Sequence, residues 1–175
     1  DIETVSLTAD FESLPERLKA HWEKKSSFFR RDEPYEDLYF ERAAIYAEFG
    51  KVLCIGVGGF YENGTKLKVK SLYAEQEKDL LAAFSNLVEK HPAGKNLIVC
   101  AHNGKEFDFP FLCRRMLING IPLPRVLNIS GKKPWEIPHL DTLEMWKFGD
   151  YKHYTSLDLL AAVLGIPGSK STMNG

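Results

Sequence analysis

Apolar and polar positions alternate along the chain in two rhythms, one with helical spacing and one with the spacing of strands. Ile2, Val5 and Leu7 mark an opening strand. Ser13 to Lys25 reads as a helix, with Ser13 as N-cap and Pro15 in the first turn. A second helix is expected from Tyr35 to Phe49, stopped by Gly50. Val52, Leu53, Cys54, Ile55 and Val57 form a near-continuous apolar run, the pattern of a buried strand over Lys51 to Tyr61. Asn63-Gly64 then signals a hairpin turn, and Leu67, Val69 and Ser71 alternate with lysines along the return strand to Tyr73.

Beyond the hairpin, Leu80, Leu81, Phe84, Leu87 and Val88 share one face of a helix from Glu75 to His91, which Pro92 ends. Asn96 to Cys100 reads as a short buried strand running into His102-Asn103-Gly104. Phe109 to Asn119 is a helix with Pro110 in its first turn and Gly120 past its end. Pro122, Pro124, Pro134 and Pro138 mark an irregular connection. A short strand is expected at His139 to Leu143 and a helix from Ser156 to Leu164, closed by Gly165. A hairpin followed by helices alternating with short strands makes an α/β (α+β) domain with a mixed sheet.

Composition narrows the class. The 175 residues suit one domain with a sizeable core. Hydrophobic residues at 44% and charged residues at 27% are ordinary globular values and argue against a wholly disordered chain. A net charge of −1 excludes a polybasic coat for duplex DNA, though not a nucleic-acid enzyme with acids in its site and bases around it. The three cysteines, Cys54, Cys100 and Cys113, form neither a zinc pattern nor a disulfide framework, which points to a reducing, cytoplasmic compartment. No apolar stretch reaches the ~18 residues of a membrane span, so no membrane partner is expected. The chain opens at Asp1 without a methionine and stops at Asn174-Gly175 in mid-phrase, so it reads as a domain trimmed from a longer protein.

Two stretches carry candidate chemistry. On a strand, Asp1 and Glu3 point to one face and Ile2 to the core. Two carboxylates that close repel each other unless a cation lies between them, and hard divalent ions take such oxygens. The alternative is a frayed acidic terminus. The second stretch is His102-Asn103-Gly104-Lys105-Glu106-Phe107-Asp108-Phe109-Pro110, where a strand turns into a helix and presents Asp108 at its start. There Asp108 is either an N-cap or an ionised ligand favoured by the helix dipole.

Asp-x-Glu on a first strand, a hairpin, a helix, a strand and then Asn-x-x-x-Phe-Asp opening a helix resembles the first two motifs of the DEDD (DnaQ-like) 3′–5′ exonucleases. It looks most like the proofreading domain of family B DNA polymerases and stand-alone predicted exonucleases related to it, over Asp1 to about Leu164. The resemblance implies a ribonuclease H-like fold and hydrolysis assisted by two divalent cations, Mg²⁺ or Mn²⁺. It implies that Asp1 bridges both ions, that Glu3 holds the ion that activates water, and that Asp108 holds the ion on the leaving-group side. Asn103 and Phe107 would position the terminal nucleotides, with Ile2 and Thr4 lining the same pocket. The implied partner is the 3′ end of single-stranded nucleic acid, DNA ahead of RNA, and the implied product a nucleoside 5′-monophosphate. A non-catalytic nucleic-acid-binding or scaffold protein on the same fold is the alternative.

Tyr154-Thr155-Ser156-Leu157-Asp158 and His153-x₄-Asp158 both match the form of the family's third motif. They read as the start of a helix instead, with Ser156 as N-cap and Leu157, Leu160, Ala161 and Leu164 as its core-facing stripe. The third motif is then expected beyond Gly175. Gly56-Val57-Gly58-Gly59 has the look of a dinucleotide loop, but a hairpin follows it where a helix is required. Asp141 reads as a cap for the helix after it, and Arg114-Arg115, Lys132-Lys133 and Lys147 to His153 as solvated surface.

Overall fold

A computed structural model describes residues 1–62 and 64–167. Strands β1 (Ile2–Ser6), β2 (Gly50–Tyr61) and β3 (Lys66–Tyr73) form an antiparallel sheet in that order. Strands β4 (Cys100–Ala101) and β5 (Leu140–Asp141) pair in parallel as a second, two-stranded sheet. The helices are α1 (Glu16–Ser26), α2 (Tyr35–Arg42), α3 (Glu77–Glu89), α4 (Asp108–Ile118), α5 (Thr142–Lys147) and α6 (Leu157–Val163). Among the described residues, no helix is long and apolar enough to cross a membrane.

Mixed α/β character is as expected, but the ladders form two sheets rather than one mixed sheet. The cause lies at β4. Gly94–Asn96 coil into a 3-10 turn, which consumes the start of the strand expected from Asn96. What remains is two residues long, and Cys100 is exposed rather than buried.

One core joins Ile2, Val52, Ile55 and Leu72 of the larger sheet to Leu80, Leu81 and Phe84 of α3 and to Phe111, Leu112 and Met116 of α4. A second core gathers around the fully buried Trp22, whose indole lies edge-on to Tyr39 and Phe49. The apolar run of β2 is buried on one face only. Glu3 pairs with Cys54 but Thr4 with Val52, so Leu53 is an extra residue in β2. That bulge turns Val52 and Ile55 together into the core and leaves Leu53 exposed.

Two helix boundaries and one helix face differ from expectation. Ser13 does not cap α1; its N–H donates to Asp10 Oδ1 at 2.7 Å and the helix starts after Pro15. The helix expected over Tyr35–Phe49 ends at Arg42 in a 3-10 turn, Ala43–Ile45. The turn abuts β2 so closely that a Cβ on Gly50 would stand 2.9 Å from the Ala44 carbonyl oxygen. Of the stripe expected on α6, Leu160 is buried while Leu157 and Leu164 are exposed.

A buried ion pair locks the helices to the sheet. The Glu77 carboxylate accepts from the Val52 N–H at 2.8 Å, from Arg115 Nε at 2.9 Å and Nη2 at 2.5 Å, and from Asn119 Nδ2 at 2.9 Å. Arg115 Nη1 donates to the Ala47 carbonyl at 2.9 Å. These bonds fix α3 and α4 against β2, and so fix where α4 begins.

Candidate active site

The site is built where α4 begins beside the first strand. The pairing of β1 with β2 continues through Asp1: its amino nitrogen donates to the Gly56 carbonyl at 3.1 Å, and the Gly56 N–H donates to the Asp1 carbonyl at 2.9 Å. Alternation along the strand buries Ile2 and leaves Asp1 and Glu3 exposed on the opposite face. The Ile2 side chain is therefore part of the core, and only its backbone borders the site. Thr4 follows the bulge and is half-buried.

Asp108 is the first residue of α4, and Phe107 occupies the N-cap position without a side-chain cap. The N-cap role considered for Asp108 is thus not the one it fills. Its carboxylate is buried, and Oδ1 has no hydrogen-bond partner. The amino nitrogen of Asp1 stands 4.0 Å from that oxygen. Burial pushes the Asp108 carboxyl above its ordinary range; the Asp1 amino group and nearby backbone amides act against this, and the charge of Asp141 adds to it. A buried oxygen without a partner is costly unless something at that position satisfies it.

Asp141, at the end of β5, holds the turn that leads to Asp108. Its carboxylate accepts from the N–H groups of Asn103 at 2.9 Å, Lys105 at 3.0 Å, Leu143 at 2.9 Å and Glu144 at 3.4 Å. The last two make it the N-cap of α5, as expected from sequence. The first two join it to a loop in which Asn103 takes a left-handed φ of 61°. Although burial pushes the carboxyl up, the four backbone donors hold it below its usual range. No signal near Asp141 in the sequence marks this second role, because its partners lie 38 and 36 residues away. His102 adds a further tie, with Nδ1 3.0 Å from Thr142 Oγ1 and Nε2 2.8 Å from the Thr155 carbonyl. Each buried N–H orphaned in Asp141→Ala costs about 1–3 kcal/mol. That variant is expected to melt lower and to be cut faster by protease at Asn103–Lys105; an unchanged melting curve would remove this role.

Phe107 packs on the core beside Phe111, with ring centroids 5.5 Å apart, and is half-buried. Asn103 is half-buried at the turn. Asp158 is exposed in the first turn of α6, behind Ser156, whose Oγ accepts from the Leu159 N–H at 3.2 Å. Tyr154 is exposed and lies edge-on to His102, while His153 Nδ1 is 2.8 Å from Asp150 Oδ2. The third motif expected beyond Gly175 lies outside the described residues.

The fold therefore brings Asp108 to the head of β1 across more than a hundred residues of chain. It does not close a cage: among the described residues, no three His, Cys, Asp or Glu side chains are grouped to hold a metal ion. Asp1 and Glu3 turn toward solvent instead. The chemistry of the set still suits a hard cation, since Asp108 supplies an orphaned buried oxygen and Asp1 and Glu3 supply only carboxylates.

A family model described as a predicted 3′–5′ exonuclease related to the exonuclease domain of PolB matches residues 45–175. That span includes Asn103, Phe107, Asp108 and Asp141, and Asp1-Ile2-Glu3 lies ahead of it. No curated protein and no solved structure matches the chain. By the match over most of its length, the chain belongs to the family of predicted 3′–5′ exonucleases related to the exonuclease domain of PolB.

Proposed function

We propose that the chain is a metal-dependent 3′–5′ exonuclease that removes nucleoside 5′-monophosphates from the 3′ end of single-stranded nucleic acid, DNA in preference to RNA, on a ribonuclease H-like fold. The observation that carries this reading is Asp108, a buried carboxylate at a helix start with one oxygen unpartnered, beside the strand of Asp1 and Glu3. Asp1, Glu3 and Asp108 would hold two ions, Mg²⁺ or Mn²⁺, which when bound activate water and stabilise charge on the phosphoryl oxygens. Asn103 and Phe107 precede Asp108 in sequence, and Phe107 offers an apolar surface to a terminal base. Asp141 acts on the reaction indirectly, by holding the Asn103–Lys105 turn.

One observation favours a second reading, a non-catalytic nucleic-acid-binding or scaffold protein on the same fold: no three ligating side chains are grouped among the described residues. Mn²⁺ titration, followed by loss of the free-ion electron paramagnetic resonance signal, separates the two. The exonuclease reading expects binding by the wild-type chain, loss in Asp108→Asn, and retention in Asp158→Asn. Wild-type chain that leaves the free-ion signal untouched supports the binding protein.

A further inference from the structure

The face of the sheet that carries Asp1 and Glu3 does not end with them. Residues paired across antiparallel strands, and alternate residues along each strand, share a face. Glu3 pairs with Cys54, and Cys54 with Tyr73. Asp1 bonds to Gly56, and the next rungs outward are Gly58 with Val69 and Phe60 with Leu67. The register from Cys54 to Tyr61 is unbroken, so all of these lie on the carboxylate side. Tyr73 is 82% exposed, Phe60 77% and Val69 68%. Two aromatic rings and two aliphatic side chains thus stand in water on one face of a hairpin that reaches past the core.

Charge and shape both fit an extended polyanion. From Val57 to Ser71 the hairpin carries Lys66, Lys68 and Lys70 against the single acid Glu62, in a chain of net charge −1. Lys66 is paired with Glu62 at 3.0 Å, while Lys68 and Lys70 have no ion-pair partner among the described residues. The lysines project from the opposite face, about one Debye length of roughly 8–10 Å away, so their field reaches the platform attenuated and without direct phosphate contacts. The glycines supply the shape. Neither Gly56 nor Gly58 has a left-handed φ. A Cβ on Gly56 would meet only the Asp1 carbonyl at 3.8 Å, and one on Gly58 only Leu67 Cδ1 at 3.5 Å, both ordinary contacts. The fold therefore does not require glycine at either position. Strand glycines of this kind leave bare backbone for another molecule to approach closely.

We infer that the outer half of the β2–β3 hairpin is a binding platform for single-stranded nucleic acid, on which the strand upstream of the 3′ end lies over Gly56 and Gly58 and stacks bases on Tyr73 and Phe60. This deepens the exonuclease reading and rests on it for the direction of the strand. Six residue steps separate Cys54 from Phe60, about 20 Å of strand. Aromatic stacking on such platforms tolerates any base.

The test is fluorescence anisotropy of a 5′-labelled single strand, DNA and RNA in turn, with the full chain in EDTA so that nothing is cleaved. Gly58→Val and Phe60→Ala are each expected to weaken binding about tenfold. Gly59→Val lies on the other face, where nothing stands within 4 Å of an added Cβ, and should leave binding unchanged. Lys68→Ala and Lys70→Ala, on the far face, should each lower the slope of log affinity against log salt by less than the roughly 0.7 of a direct phosphate contact. Gly58→Val adds a residue suited to strands, so its melting temperature should not fall. Wild-type affinity in folded Gly58→Val overturns the platform, as does failure of the wild-type chain to bind either strand. A change of oligomeric state in Gly58→Val with unchanged strand affinity also overturns it and assigns the face to a second copy of the chain. Loss of binding in Gly58→Val from a chain without nuclease activity supports the platform and rejects the exonuclease reading alone.

Discussion

Asp108→Asn is expected to abolish Mg²⁺-dependent nucleotide release while leaving the melting temperature in EDTA unchanged or raised. The substitution keeps size and shape and removes only the charge. Nothing in the chain depends on that charge for a cap, because α4 starts without a side-chain cap and Asp108 Oδ1 has no hydrogen-bond partner. Asparagine leaves a polar atom at the same unpartnered place but spares the desolvation of a charge that burial disfavours, and each kcal/mol so recovered shifts melting by about 2–4 °C in a chain of this size. A lost ion ligand removes several kcal/mol of transition-state stabilisation, which at about 1.4 kcal/mol per decade is roughly 10³-fold or more in rate. A structural carboxylate behaves in the opposite way. Asp141→Asn, at an acid that accepts four backbone N–H groups, should lower the melting temperature. Near-normal turnover in Asp108→Asn, or a variant that melts well below wild type, contradicts the assignment.

The largest loss of stability is expected at Glu77→Ala. Its carboxylate faces the buried Arg115 guanidinium, and removing it leaves an uncompensated cation together with an orphaned Val52 N–H. Breaking a buried pair from one side costs about 3–5 kcal/mol, or roughly 6–20 °C of melting temperature. Arg115 lies on the helix that starts at Asp108, so activity should fall with it even in molecules that remain folded. The pH dependence has a definite sign. Burial pushes Glu77 up, but hydrogen bonds from Arg115, Val52 and Asn119 outweigh it and hold the carboxyl below its ordinary range. Its contribution is therefore complete above the unfolded value of about 4.3 and is lost as pH falls through the lower folded value. Melting curves of wild type and variant should converge in acid and diverge toward neutrality. A gap that is constant with pH would show that lost packing, not the ion pair, sets the difference.

Much of the fold was legible because its signals are local. The stripe of Leu80, Leu81 and Phe84 marks α3, and the alternation from Leu67 to Tyr73 marks β3, whatever surrounds them. What was not legible depends on the tertiary structure. An apolar run cannot reveal that Leu53 is an extra residue, since the bulge exists only against Thr4 and Glu3 of another strand. The spacing of Tyr35–Phe49 is helical throughout, yet the chain tightens at Ala43–Ile45 to pass Gly50. At the site, the parity of Asp1 and Glu3 follows from the pleat alone. The grip of Asp141 on Asn103 and Lys105 spans 38 and 36 residues and has no local signature. Gly56-Val57-Gly58-Gly59 lies in a strand, in keeping with the hairpin signal that follows it, and leaves bare backbone where the carboxylate face continues.

An exonuclease that works from the 3′ end is recognised by the identity and order of its products. A single strand carrying one label at its 5′ end and another on its 3′-terminal nucleotide is incubated with the full chain and Mg²⁺, and products are resolved over time. The expected result is early release of the 3′ label as a nucleoside 5′-monophosphate, while the 5′ label stays on a strand that shortens one nucleotide at a time, with all cleavage lost in EDTA. Internal cuts, release from the 5′ end, a 3′-phosphate product, or no cleavage by a folded chain would contradict it.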